Sequence, residues 1–289
     1  IDAGDDIADE TCWIKGNPSL GHLVTIKDYR RAFESYKSQS KEHDWERFQL
    51  CRYASDDTGW IPPKDIKEVT TNLDIMDFVG EECYIGIDFS KSFDITSMCV
   101  SFWKNQKCHS FFYHWIPKVG ANSNYRAHAS FLREWENHPS INVVKTRNID
   151  YADVLSKLLF LQEHFVLPKD SIGIDALGGM KPILQEWENT YNLPIIGVPQ
   201  TITVLGPATF VTESLIIDKN IIFNDDPCFQ YCFSCVRLIT GMNGDVRPTK
   251  DRSTGQIDAV IALLLSVAVS IEAGKLRPPA YQHESDIAI

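Results

Sequence analysis

Three aspartates lie inside the most apolar stretches of this 289-residue chain, far apart along it. Asp88 stands in YIGIDFSKSFDITS, Asp175 in SIGIDALGG and Asp258 in TGQIDAVIALLLSVAV. The first two runs read as strands, and the third places its aspartate in the first turn of a hydrophobic helix. An ionised carboxylate among apolar neighbours is costly unless something compensates it, and three brought together repel one another. A divalent cation relieves both problems, because hard cations such as Mg²⁺ take oxygen ligands. The fold is therefore expected to bring two strands and a late helix to one point. The chemistry suited to such a point is metal-dependent phosphodiester cutting.

The pattern around these aspartates sets the expected architecture. Residues Cys83–Phe89 alternate, with Ile85, Ile87 and Phe89 on one face and Tyr84, Gly86 and Asp88 on the other. Gly86, sharing the Asp88 face, is expected to leave room for a bulky substrate. Thr96–Trp103 and His109–Pro117 flank a turn at Lys104–Lys107, which predicts a hairpin and three antiparallel strands in all. Helices are expected at Ala127–Trp135, Asp150–Glu163, Lys181–Tyr191, Ala208–Lys219 and Phe229–Leu238. Short strands are expected at Asn142–Thr146, Ser171–Asp175 and Pro194–Pro199. The last helix is expected to start near Thr254, where Ser253 and Gln256 have capping-box spacing. This order suits an α/β fold with a mixed central sheet flanked by helices, and the placement of the aspartates resembles the ribonuclease-H-like layout.

Before this region the chain reads differently. Residues 1–75 hold an acidic start, a turn-rich GNPSLG and two polar helices, near Ile26–Gln39 and Glu42–Tyr53. They are expected to form an N-terminal helical appendage, residues 76–276 the main domain, and residues 277–289 a mobile Pro-containing tail. No initiator Met is present, which reads as a fragment or a processed product. The acidic N-terminus lacks the basic-then-apolar pattern of a signal peptide.

Composition narrows the partners. The net charge of −11 works against tight stand-alone DNA binding, since phosphate contacts need local Lys and Arg. A basic groove rather than a basic average is what a nuclease needs. The longest apolar run, Ala259–Ile271, is too short to span a bilayer, so no membrane partner is expected. The eight cysteines show no small-scaffold disulfide spacing, which suits a reduced cytosolic protein. Cys228, Cys232 and Cys235 share one helix face, and without a nearby fourth ligand a core face is favoured over structural zinc. His109, His114 and His128 have no ligand spacing and read as surface or satisfied core residues.

An ordered set of motifs goes further. Trp13 with Asn17-Pro18-Ser19-Leu20-Gly21, then YIGIDFSKSFDITSM, then IGIDALGG, and finally Lys250 followed by GQIDAVIAL span nearly the whole chain. In that order they resemble the large terminase subunit of tailed bacteriophages, specifically its nuclease half with the end of the preceding ATPase half. The resemblance implies a subunit of a packaging motor, in the host cell cytoplasm, that cuts concatemeric viral double-stranded DNA. It implies as partners the portal protein, a small terminase subunit that guides cut-site choice, and the protein's own ATPase domain. No G-x-x-x-x-G-K-[ST] phosphate loop occurs in this sequence, so ATP hydrolysis by this chain alone is not expected.

Carried over by motif, Asp88, Asp175 and Asp258 are the implied catalytic, metal-binding carboxylates for two divalent ions, Mg²⁺ or Mn²⁺. Asp88 is expected to bridge both ions, and Asp94 is a further candidate ligand, weighed against a plain turn-capping role. Related terminases often carry another acidic residue or His just before the final aspartate, where Gly255 and Gln256 stand here. Arg247, Lys250 and Arg252 before the last helix, and Lys104 and Lys107 at the hairpin tip, are candidate DNA contacts. Three other readings stay open: a junction resolvase or transposase of the same fold, an actin-like nucleotide-binding fold, and a noncatalytic assembly module.

Overall fold

The computed structural model describes residues 5–38, 45, 49–50, 60–90, 95–117, 135, 137–144, 149–175, 180–241, 245–250, 253 and 255–276. The chain divides into two compact units, Ile1–Thr58 and Gly59–Ile289. The expected helix over 127–135 lies outside the described residues apart from Trp135, as does the tail over 277–289.

In the first unit, α1 (Glu10–Gly16) begins where the Asp9 carboxylate accepts the Thr11 amide. Helix α2 (Ile26–Ser38) begins where the Thr25 hydroxyl accepts the Asp28 amide. Both are N-caps that satisfy orphan donors. Arg30 pairs with Glu10 and ties the two helices together. Their inner faces meet in an aromatic cluster of Trp13, Tyr29, Phe33 and Trp45, with ring centroids 4.7 to 5.6 Å apart. Leu50 completes this core, and a Cβ on Gly16 would lie 2.5 Å from the Leu50 carbonyl oxygen, so only glycine fits there. The helix expected over 42–53 lies outside the described residues except at Trp45, Gln49 and Leu50.

The second unit is built on an eight-stranded mixed sheet. Helix α3 (Pro63–Glu68) leads into β1 (Thr70–Thr71). Strands β2 (Cys83–Asp88), β3 (Thr96–Lys104) and β4 (Lys107–Pro117) form the expected antiparallel meander. Asn105 and Gln106 close its tight turn at φ 53° and 64°, the left-handed conformation that matches strand twist in two-residue hairpins. Then come β5 (Ile141–Val144), α4 (Tyr151–His164), β6 (Ile172–Ile174), α5 (Lys181–Tyr191) and β7 (Ile195–Gly197). The chain continues through α6 (Ile202–Ile217), β8 (Ile221–Asn224), α7 (Pro227–Cys235), the hairpin β9 (Leu238–Thr240) and β10 (Val246–Pro248), and α8 (Asp258–Glu272). The sheet order is β1-β8-β4-β3-β2-β6-β7, with β5 beside β4.

Helices cover both faces. One core holds Ile85, Ile87, Phe102, Leu158 and Trp187, under α4 and α5. The other holds Tyr84, Phe112, Leu205, Phe229 and Leu264, under α6, α7 and α8. Buried on both sides, β2 is apolar at every position but its last, as strands in a covered sheet are.

Several expectations are corrected. Gly86 does not leave room for substrate: a Cβ there would lie 2.0 Å from the Ala262 carbonyl oxygen and 2.4 Å from the Ser266 nitrogen, so its space is filled by α8. The last helix starts at Asp258 rather than near Thr254, because the Ser253 hydroxyl is engaged elsewhere, donating to the Thr249 carbonyl and accepting the Arg237 amide. Helix α6 starts six residues before the expected Ala208 and contains Pro207. Helix α7 ends at Cys235, short of Leu238, which opens β9. Strand β8 and the β9–β10 hairpin were not expected, since runs of three or four apolar residues carry no period that separates strand from helix.

Candidate active site

The sheet register places the first two aspartates side by side. Strands β2 and β6 run parallel with Ile87 opposite Ile174, and each is followed by its aspartate, Asp88 and Asp175. Both sit at the carboxyl ends of neighbouring parallel strands, where open α/β sheets hold their ligands. Helix α8 crosses the same face, and the missing side chain of Gly86 lets its backbone settle against β2. That close approach carries Asp258, the first residue of α8, to Asp88. The helix N-terminus favours a carboxylate through its dipole, and no side chain caps it.

Asp88 and Asp258 are almost fully buried, at 4% and 2% exposure. They converge on one cation, the Lys250 ammonium, whose Nζ donates to Asp88 Oδ2 at 3.0 Å and to Asp258 Oδ1 at 2.5 Å. Gln200, just after β7, points Nε2 at Asp88 Oδ1 across 3.5 Å. Burial raises the Asp88 pKa against the pull of Lys250, and the Asp175 charge adds to the rise. Burial and the Asp88 charge push Asp258 up to about 7, again against Lys250. Burial opposes the charge on Lys250, but the two carboxylates outweigh it and raise its pKa.

Ser90, two residues past β2, is held in place. The Ser90 amide donates to the Thr96 hydroxyl at 3.1 Å, and the Tyr151 hydroxyl donates to the Ser90 carbonyl at 3.0 Å. Asp94 lies outside the described residues, as does Arg252. Arg247, on β10, is half-buried, and its guanidinium donates to the Pro248 carbonyl. Lys104 and Lys107 sit at the other end of the meander. Ser97 pairs with Asp88, and Lys104 lies seven residues further along β3, about 23 Å at the usual strand rise. There Lys104 pairs with Glu81 at 3.1 Å and covers the Phe78 ring.

Sequence reasoning missed the role of Gln200 and the direct bridging by Lys250. Gln200 carries no motif, and only the sheet order, with β7 beside β6, brings it in. His114 is a satisfied core residue, as read: it is fully buried between Ser97 and Asp226. Cys228, Cys232 and Cys235 are buried in the core, and burial pushes the Cys228 thiol well up. His128 lies outside the described residues.

The donor set suits a hard divalent cation. The candidate donor atoms are carboxylate oxygens, which favour Mg²⁺ or Mn²⁺ over softer metals, and two of the carboxylates already close on a single positive centre. Among the described residues no three His, Cys, Asp or Glu side chains form a ready-made metal cage. At this site Lys250 holds the common point. No helix among the described residues is long and apolar enough to cross a membrane.

Comparison with known proteins gives the family. A family model for the terminase large subunit, endonuclease domain, matches residues 1–273. The large terminase subunit of Enterobacteria phage HK97 is 20% identical over 277 residues, 92% of this chain and 52% of that protein. The crystal structure of the HK97 bacteriophage large terminase aligns with a TM-score of 0.59 and 19% identity, covering 92% of this chain and 55% of that one. The magnesium-bound large terminase nuclease of thermophilic phage G20c aligns with a TM-score of 0.43 and 14% identity, over 65% of this chain and 81% of that one. This chain spans about half the length of the HK97 large terminase subunit. The HK97 alignment and the mixed sheet agree with the ribonuclease-H-like fold. With one family model covering the ordered motifs from Trp13 to Asp258, the chain belongs to the terminase large subunit endonuclease domain family.

Proposed function

We propose that this chain is a metal-dependent endonuclease that cuts concatemeric viral double-stranded DNA during genome packaging. One observation carries the reading: Asp88 and Asp258, 170 positions apart in sequence, converge on a single cation, with Asp175 next to Asp88 across the sheet. A buried acidic pair is costly to maintain, and a site that binds cations gives it a purpose.

In this reading Asp88, at the carboxyl end of β2, would hold two divalent ions together with Asp175 and Asp258. Two such ions stabilise the attacking and leaving oxygens of a phosphodiester and lower the pKa of a bound water. The protein's own groups prepare the site. Gln200 orients the Asp88 carboxylate through Oδ1. Helix α8 fixes Asp258 and favours its charge. Lys250 and Arg247, on the segment leading into α8, are the candidate contacts to DNA phosphates, with Arg252 on the same segment of the sequence. Lys104 and Lys107 would meet the duplex only away from the cut.

The wider assignment is part of the same proposal, with family membership as its support. Residues 1–75 are the end of an ATPase domain with linker helices, 76–276 the nuclease domain, and 277–289 a tail. The portal protein and a small terminase subunit are its partners, and the host cytoplasm is where it works. The test is cleavage of supercoiled plasmid with Mn²⁺, Mg²⁺ or EDTA by wild type and Asp88→Ala. Nicking or linearisation that needs metal and vanishes in the variant is expected. Cleavage that persists in EDTA or in Asp88→Ala contradicts the reading.

A further inference from the structure

We infer that Lys250 is a built-in counter-ion that occupies the metal position of this site and must be displaced when a divalent cation binds. The inference rests on the proposed function and adds a competition to it. The Lys250 ammonium lies within hydrogen-bond reach of Asp88 Oδ2 and Asp258 Oδ1, two buried oxygens of the donor set that a divalent ion would take. A hard cation and an ammonium cannot share that point, since both need the same lone pairs.

The surroundings allow the exchange. The carboxylates are held by β2 and by the start of α8, whereas the Lys250 side chain is half-exposed at 50%. Its backbone stands on an anchored base: the Thr249 amide donates to the Arg237 carbonyl at 3.1 Å, and the Ser253 amide donates to the Thr249 carbonyl at 3.3 Å. Withdrawal therefore needs only rotation of a flexible four-carbon stem, with the loop base left in place.

Two consequences follow. Without metal, Lys250 keeps two crowded buried carboxylates from repelling each other, so the fold does not depend on metal. With metal, the displaced ammonium swings to the solvent-facing side of the site, where it is free to meet a phosphate. Metal loading and presentation of this cation become one event. Lys250 is thus a positioning residue for the carboxylates in one state and a candidate substrate contact in the other.

The test reads metal binding and lysine exposure separately from cleavage. Mn²⁺ is titrated calorimetrically into wild type, Lys250→Met and Lys250→Arg, and Lys250 of wild type is labelled with an amine-acetylating reagent along the same titration. Lys250→Met is expected to bind Mn²⁺ about tenfold tighter or more, the order set by removing one or two charge-assisted hydrogen bonds that compete with the metal. Lys250→Arg, which keeps the charge and tests the idea if the Met variant does not fold, is expected to bind no tighter than wild type. Labelling of Lys250 is expected to rise in step with metal occupancy. Wild type that binds Mn²⁺ with unchanged or falling Lys250 labelling overturns the inference but leaves the metal site standing, as does equal or weaker binding by a folded Lys250→Met. Wild type and Lys250→Met that both fail to bind Mn²⁺ overturn the metal site itself, and the inference with it.

Discussion

Among the described residues, the larger unit buries two acidic centres, and they are built to opposite rules. Asp226 is completely buried, yet every direction around it is answered: it accepts from His114 Nε2 at 3.1 Å, from the Phe229 amide at 2.6 Å and from the Ser140 hydroxyl. His114 in turn bonds Ser97 at 2.9 Å, so the network closes on itself. Burial pushes Asp226 up, but His114, Ser140 and the Phe229 amide outweigh it and hold its pKa below the usual value. Asp88 and Asp258 are as deeply buried but share one half-exposed lysine, and both stand above the usual carboxylate range. A carboxylate whose hydrogen-bond directions are filled locks elements together, here β3, β4, the start of β5 and the N-cap of α7. Carboxylates left crowded around one half-exposed cation suit the binding role proposed for them.

The largest contrast is in what each loss does. Asp88→Ala is expected to lower cleavage about a thousandfold or more, the several kcal/mol that bound metal contributes, while thermal unfolding stays near wild type. Asp226→Ala strands the buried His114 and Ser140 and is expected to cost about 3–5 kcal/mol, a fall in Tm on the order of 10 °C for a unit of this size. Calorimetric unfolding and plasmid cleavage on both variants separate the roles. An Asp88→Ala protein that unfolds like Asp226→Ala would erase the distinction.

Next in size is Gly86→Ala, which inserts a methyl group into the Ala262 and Ser266 backbone. A cost of about 1–3 kcal/mol or more is expected from overpacking, together with loss of cleavage, because α8 can no longer hold Asp258 against Asp88. Denaturant unfolding and cleavage should fall together.

The pH response sharpens the comparison further. The folded pKa of Asp226 lies below its unfolded value of about 3.9, so its contribution is fully present above that pH and is lost as pH falls through the folded value. The Tm gap between wild type and Asp226→Asn is therefore expected to narrow as pH falls below about 4. A gap that is the same at all pH values would mean that the charge on Asp226 contributes nothing.

The smallest effect belongs to Gln200→Ala. Its contact with Asp88 is long at 3.5 Å, so a few-fold loss of cleavage is expected with stability changed by less than about 0.5 kcal/mol.

Much of the scaffold was legible in the sequence because its signals are local and repeated. The β2–β4 meander shows alternation and a polar turn, and the amphipathic α4 carries its own Asp150 cap. The three aspartates stood out because a charge in an apolar run is conspicuous. What could not be read was set by neighbours distant in sequence. Gly86 looked like space for a substrate, and only the path of α8 shows that the space is filled by a helix. The start of α8 was misplaced because Ser253, a good cap by spacing, spends its hydroxyl on β10's outgoing loop. Lys250 was a candidate phosphate contact, and nothing in its local sequence reveals that it sits between two carboxylates eight and 162 positions away.

In the proposed function Asp88 and Asp258 form a cation site and Asp226 does not. Anomalous scattering from crystals soaked in Mn²⁺ tests this most directly. The expected map has its strongest peaks against Asp88, flanked by Asp258 and Asp175, with the Lys250 side chain withdrawn and no peak near Asp226. A map with no peak at Asp88, or with Lys250 unmoved between the two carboxylates at full metal loading, would contradict it.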